Sequence, residues 1–237
     1  MFTLKDLKVR RRSWVQIASI PKARLGWTME DCSDVPQEAL KPLRGWIERV
    51  RGGEVILSSG NPLCGRGVLI YGEPGHGKTT LAVSMIQEML TTFPLEAFAP
   101  SENKVLIRPC YFITFNDLLE LKGRLMDNPT DQDKVLFDGI FGECVDDAYN
   151  VRVLVLDDVG KEHNSGSGWQ KTMLHQVLRT RFNNGLPTIV TTNLDLKGWA
   201  TPYGDATESF AREAFAYLAL KSNTGDLRRN RRASNGV

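Results

Sequence analysis

The sequence predicts an α/β fold, a parallel central sheet with helices on both faces. Three observations point there. Short apolar runs rich in β-branched residues recur at 68–71, 111–115, 153–156 and 188–191, separated by segments of helical periodicity. A glycine-rich loop of phosphate-binding type follows the first run and opens a helix. Two adjacent carboxylates, Asp157 and Asp158, follow the third run, at the strand end where open α/β sheets bind ligands.

In chain order, residues 36–51 predict an amphipathic helix. Leu40, Leu43, Ile47 and Val50 recur there at spacings of three and four, and Pro36 is tolerated in a first turn. The polar stretch 58–62 leads into the first strand, Val68-Leu69-Ile70-Tyr71. The next helix starts at Gly77 and carries Leu81, Ala82, Met85, Ile86 and Met89 on its core face. Residues 111–115 read as the second strand and 116–126 as a helix, while 116–150 as a whole fits one broken helix or two. Residues 153–156 form the third strand, 168–182 a helix and 188–191 the fourth strand. The sequence shows no internal repeat and no low-complexity tract.

At 237 residues, 41% apolar and 24% charged, the chain is long enough for a sizeable core and has an ordinary globular composition. No apolar run approaches the roughly 18 residues of a membrane-spanning helix, and the N-terminus lacks the apolar stretch of a secretory signal. Cys32, Cys64, Cys110 and Cys144 lie far apart, which argues against zinc and a disulfide framework and for reduced thiols in a cytoplasm. The net charge of +2 hides an uneven distribution: residues 1–24 carry +6, residues 221–237 carry +4, and the middle carries −8. The two ends read either as basic arms for nucleic acid or an acidic partner, or as frayed, solvated termini.

Gly72-Glu73-Pro74-Gly75-His76-Gly77-Lys78-Thr79 fits G-x-x-x-x-G-K-[ST] at every fixed position. In this setting the glycines let successive backbone N–H groups face a β-phosphate, and the helix N-terminus adds partial positive charge. Lys78 supplies a point charge to the β- and γ-phosphates, and the Thr79 hydroxyl is a Mg²⁺ ligand. Thr80 completes the cradle, and His76 is a spacer whose backbone matters. Asp157 is expected to hold Mg²⁺ through its water, and Asp158 to polarise the attacking water as general base. Asn193, closing the fourth strand, reads as a polar group that positions this water or as a turn-forming Asn.

These segments, with Leu156-Asp157-Asp158-Val159-Gly160-Lys161-Glu162, Trp169, Arg181 and Pro187-Thr188-Ile189-Val190-Thr191-Thr192-Asn193, resemble the DnaC/DnaI-type replicative helicase loaders. Those are AAA+ ATPases related to the IstB transposition helpers, and many are phage-encoded. Ile20-Pro21-Lys22-Ala23-Arg24 resembles the segment just before the family's ATPase core, and Gly225-Asp226-Leu227-Arg228-Arg229 its terminal sensor-2 segment. The resemblance divides the chain into a basic arm (1–19), an AAA+ domain (20–230) with a short or absent lid domain, and a basic tail (231–237).

The resemblance implies that Asn193 is sensor 1 and that Arg228 senses nucleotide state. It also implies an arginine finger reaching a neighbouring subunit, for which Arg212 in Ser209-Phe210-Ala211-Arg212 is the candidate, the alternative being a helical salt bridge to Glu208. Two departures stand out. Asp158 replaces the glutamate usual in AAA+ proteins, which favours slow turnover. Only about 19 residues precede the core, whereas the cellular loaders carry a separate N-terminal helicase-binding domain.

The function implied is an ATP- and Mg²⁺-dependent helicase loader in DNA replication. It would bind single-stranded DNA, assemble with ATP into a ring or spiral and deliver a DnaB-type helicase. Alternatives are an IstB-like transposition helper, a P-loop kinase for a small acceptor, and an ATP-switched adaptor with almost no turnover. Candidate DNA contacts are Phe115, Lys122, Arg124 and the basic ends. For Tyr111, Phe112 and Phe115 the competing reading is core strand residues, and for Leu118, Leu119, Leu121 and Leu125 it is helix packing.

Overall fold

Parallel strands buried on both faces need apolar side chains at successive positions, and all four runs have them. The computed structural model describes residues 4–32, 35–55, 64–99, 104–161 and 168–220. The four runs become β1 (Gly67–Tyr71), β2 (Cys110–Thr114), β3 (Val153–Val159) and β4 (Thr188–Thr192). A fifth strand, β5 (Phe215–Ala219), was not expected from the sequence. The strands form one sheet in the order β2-β3-β4-β1-β5, parallel throughout.

The helices are α1 (Leu4–Ile17), α2 (Gln37–Arg51), α3 (Lys78–Thr92), α4 (Phe115–Asp127), α5 (Asp131–Phe141), α6 (Trp169–Asn183), α7 (Ala200–Tyr203) and α8 (Asp205–Ala214). Alternate strand residues feed two cores. Val68, Ile70, Val153, Val155 and Ile189 face Trp46, Ile47, Met85 and Ile86 of α2 and α3. Leu69, Leu154, Leu156 and Val190 face Leu118, Phe141, Val177 and Trp199 on the other side. The stretch 116–150 resolves into two helices because each has its own cap: the Thr114 and Thr130 hydroxyls accept from the N–H groups of Asp117 and Asp133.

The first residues carry more structure than their charge suggested. Trp14 of α1 is 2% exposed, donates from its indole N–H to the Leu106 carbonyl at 3.0 Å, and meets the Phe98 ring edge-on. Arg11 donates to the Phe93 carbonyl, and the Ala18 carbonyl accepts from Phe112 at the outer edge of β2. The basic residues therefore ride on a docked helix, with Lys8 and Arg12 exposed. The lid domain, Arg228 with the sensor-2 segment, and the basic tail lie outside the described residues.

Candidate nucleotide site

The loop 72–79 joins β1 to α3 at the carboxyl edge of the sheet. Gly77 precedes α3 at φ 82, a left-handed conformation that suits glycine, and no side chain caps the helix. Gly72 passes so close to the segment after β5 that an added Cβ would sit 2.3 Å from the Leu220 carbonyl oxygen. The loop shape therefore depends on glycine at both ends. Lys78 is 6% exposed, and its ammonium donates to the carbonyls of Gly72 and Glu73 at 2.8 Å each.

Of the two carboxylates, Asp157 is bonded to this loop. The Thr79 hydroxyl donates to Asp157 Oδ2 at 3.1 Å, across a sequence gap of 78 residues. Asp157 is 3% exposed, and burial pushes its carboxyl above the usual value, with Asp158 adding to the rise. Hydrogen bonds from Thr191 and Thr79 and the charge of Arg24 pull the other way. Hydroxyl and carboxylate oxygens side by side are the donor set a hard divalent cation takes, so the residues present fit Mg²⁺.

Asp158 stands apart from the regular ladder. The pairing of β3 with β4 shifts register between Leu156 and Val159, and Asp158 adopts φ 59. Outside glycine, Asp and Asn tolerate this region best. One hydroxyl braces both carboxylates: Thr191, fully buried, donates to Asp157 Oδ1 at 2.5 Å and accepts from the Asp158 N–H at 3.0 Å. Asp158 Oδ1 also pairs with the ammonium of Lys161 at 2.6 Å.

Asp158 and Lys161 line one pocket with Pro74, Gly75, Gly77, Lys78, Thr79 and Thr80, and Ala23 and Arg24 complete its lining. Arg24 donates to the Thr80 hydroxyl at 3.4 Å. The segment that carries it is bound to α3 through Gln87, 6% exposed. The Gln87 carboxamide accepts from the Gly26 N–H at 2.8 Å and donates to the carbonyls of Arg24 and Trp27 at 2.9 and 3.0 Å.

Asn193 follows β4 at the same sheet edge, and its Oδ1 is buried with no hydrogen-bond partner among the described residues. Glu73 reaches the site through its backbone, and His76 contributes no side chain to the pocket lining. Arg212 lies away from the pocket on α8, ion-paired with Glu208 one turn back.

The DNA candidates fare differently. Phe115 is fully buried where α4 enters the second core, so it has no face on which a base could stack, and the core reading of it holds. Phe112 is buried as well, and Leu118, Leu119 and Leu121 are core. Lys122 sits over the Phe137 ring at 4.8 Å, and Arg124 is paired with Asp133 at 3.2 Å. Sequence reasoning missed Lys161, Thr191 and Gln87 as parts of the site, and it took Arg24 only from resemblance. The one available signal was the run of side-chain hydroxyls ending the fourth strand.

No protein-family model and no curated protein matches the sequence. Among solved structures, the DnaC helicase loader is 26% identical with a TM-score of 0.55, over 85% of this chain and 100% of that one. DnaI is 18% identical with a TM-score of 0.57, over 86% and 95%. AMPPCP-bound DnaA from Aquifex aeolicus shares the fold at 14% identity and a TM-score of 0.55, over 92% of this chain and 58% of that one. In motif and in backbone alike, this chain has the P-loop fold of the AAA+ ATPases and resembles the DnaC/DnaI-type helicase loaders.

Proposed function

We propose that this chain is an ATP-dependent helicase loader acting in DNA replication. The observation that carries the reading is the likeness to DnaC, which runs over the full length of that chain. In the proposed cycle Lys78 leaves the Gly72 and Glu73 carbonyls for the β- and γ-phosphates of ATP. The Thr79 hydroxyl and, through water, Asp157 would hold Mg²⁺, which supplies charge neutralisation on those phosphates. Asp158 takes a proton from the attacking water, and the unpaired Asn193 Oδ1 orients that water. Arg212 would leave Glu208 to complete a neighbour's site in a head-to-tail assembly. Arg228 would report nucleotide state.

Single-stranded DNA would meet the basic residues of α1 and the tail, since the body of the chain is acidic. Several subunits contacting one strand should give a steep salt dependence, about −0.7 in log K against log salt per phosphate contact.

The test is loading of a DnaB-type helicase onto circular single-stranded DNA by the purified chain, with ATP, ADP or no nucleotide. Loading and tighter DNA binding with ATP support the reading. DNA binding that ignores nucleotide and salt, with no effect on the helicase, would overturn it. Mixing Lys78→Ala and Arg212→Ala proteins tests the shared site, because each retains the half that the other lacks. Absence of rescue, with Arg212→Ala fully active alone, removes Arg212 from the site.

A further inference from the structure

We propose that Lys161 is a second cation for the terminal phosphate of a nucleoside triphosphate, resting on Asp158 until the triphosphate binds and then transferred to that phosphate. The inference builds on the reading of residues 72–79 as the ATP site.

Three features place Lys161 for this task. It lines the same pocket as Lys78 and Asp158. The left-handed residues Asp158 and Gly160, at φ 59 and 95, bend the chain at the end of β3, and position 161 lines the pocket. The Thr191 hydroxyl fixes the base of this turn through the Asp158 N–H. A non-glycine residue held in this conformation persists only where its surroundings over-determine it, and such positions cluster at functional sites.

The choice of phosphate follows from reach. Asp158 is the carboxylate read as activating water for attack on the γ-phosphate, so that phosphate must lie about one water away from it. Lys161 Nζ is 2.6 Å from Asp158 Oδ1, which puts it near the terminal phosphate, in the same pocket that Lys78 lines.

The choice of exchange over a permanent pair follows from exposure. The Asp158 and Lys161 side chains are 36% and 37% exposed. An ion pair this open to solvent is weakly held, whereas a triphosphate brings a much larger negative charge into the same pocket. ADP lacks the phosphate that would draw Lys161 away and leaves it occupying an oxygen of Asp158. The device thus discriminates between the two nucleotides at one ion pair and frees the base only when there is a phosphate to attack.

The experiment measures equilibrium binding of AMPPCP and of ADP, each with Mg²⁺, to the wild-type chain and to Lys161→Ala, Lys161→Arg and Lys78→Ala. Lys161→Ala is expected to weaken AMPPCP binding about tenfold, the size of a lost hydrogen bond to a charged group. ADP binding should stay within about twofold on the same scale, and Lys161→Arg should recover most of the loss. Equal effects on both nucleotides, or no effect on either while Lys78→Ala abolishes binding, would overturn the proposal and leave the ATP site standing. Unchanged affinity in folded Lys78→Ala protein would overturn the site itself and the proposal with it.

Discussion

Thr191→Val removes one hydroxyl and little else. Valine keeps the shape and the β-branching that β4 needs, so strand and packing are retained. Two bonds disappear: the 2.5 Å donation to Asp157 Oδ1 and the 3.0 Å acceptance from the Asp158 N–H. The first is charge-assisted and fully buried, worth about 1.5–3 kcal/mol, and the second adds about 1 kcal/mol. Thr79 still serves Asp157, so the expected destabilisation is about 2–3 kcal/mol near neutral pH, a fall in Tm of roughly 4–10 °C for a chain of this size.

The pH dependence has a definite sign. The folded Asp157 carboxyl already lies above its ordinary 3.8. Between 3.8 and the folded value, folding takes up a proton, so stability falls as pH rises through that window. Removing the Thr191 bond raises the folded value further and widens the window upward. The Val variant should therefore lag wild type more at about pH 7 than at about pH 4. Its Mg²⁺-dependent nucleotide binding should also fail at a higher pH on acidification. Thr191→Ser is expected to restore both. Denaturant melts and Mg²⁺ titrations across pH that overlay for Val and wild type would refute the reasoning.

Arg181 is fully buried and donates to Thr188 Oγ1 and to the carbonyls of Ile140, Val151, Arg152 and Pro187. Burial pulls its guanidinium down to about 9, so it remains charged at neutral pH. Arg181→Met should cost about 3–5 kcal/mol by leaving these carbonyls unpaired, and a loss below about 1 kcal/mol in denaturant melts would contradict that accounting. Asp158→Asn keeps a residue type that accepts the left-handed backbone, so it should fold and bind ATP with hydrolysis abolished; turnover equal to wild type would remove Asp158 as the base. Asp157→Asn should instead weaken the Mg²⁺ dependence of binding, read by titrating Mg²⁺ at fixed nucleotide. Lys78→Ala should lose tight nucleotide binding while its thermal melt stays close to wild type, because it removes a ligand charge, bonded to the Gly72 and Glu73 carbonyls of the loop, and no apolar core packing.

The phosphate loop and the two aspartates were legible because each couples a fixed residue pattern to a strand end, and the structure brings Thr79 within hydrogen-bond reach of Asp157. β5 was not legible. Phe215-Ala216-Tyr217-Leu218-Ala219 is an apolar run, but it follows α8 with no glycine or proline between them, and its alanines and leucine suit a helix as well as a strand. α1 was hidden by its charge: Trp14 and the following Ala18 anchor a helix whose remaining surface is largely basic and polar. β3 extends past the apolar run to Val159 because a register shift lets both aspartates stay within the strand. Lys161 and Arg24 carry no pattern of their own in a sequence rich in surface charge. Only the fold shows that they share a pocket.

The carboxamide of Gln87 has a mechanical consequence. α3 begins at the phosphate loop, and through Gln87 it grips three backbone groups of the segment bearing Arg24. Any displacement of the helix carries that wall along, so loop and wall behave as one stiff jaw that cannot open against itself. The segment from Asp158 to Lys161 is held differently: the Thr191 hydroxyl and the pairing of Val159 with Thr192 fasten it to β4, and a solvent-exposed ion pair closes it.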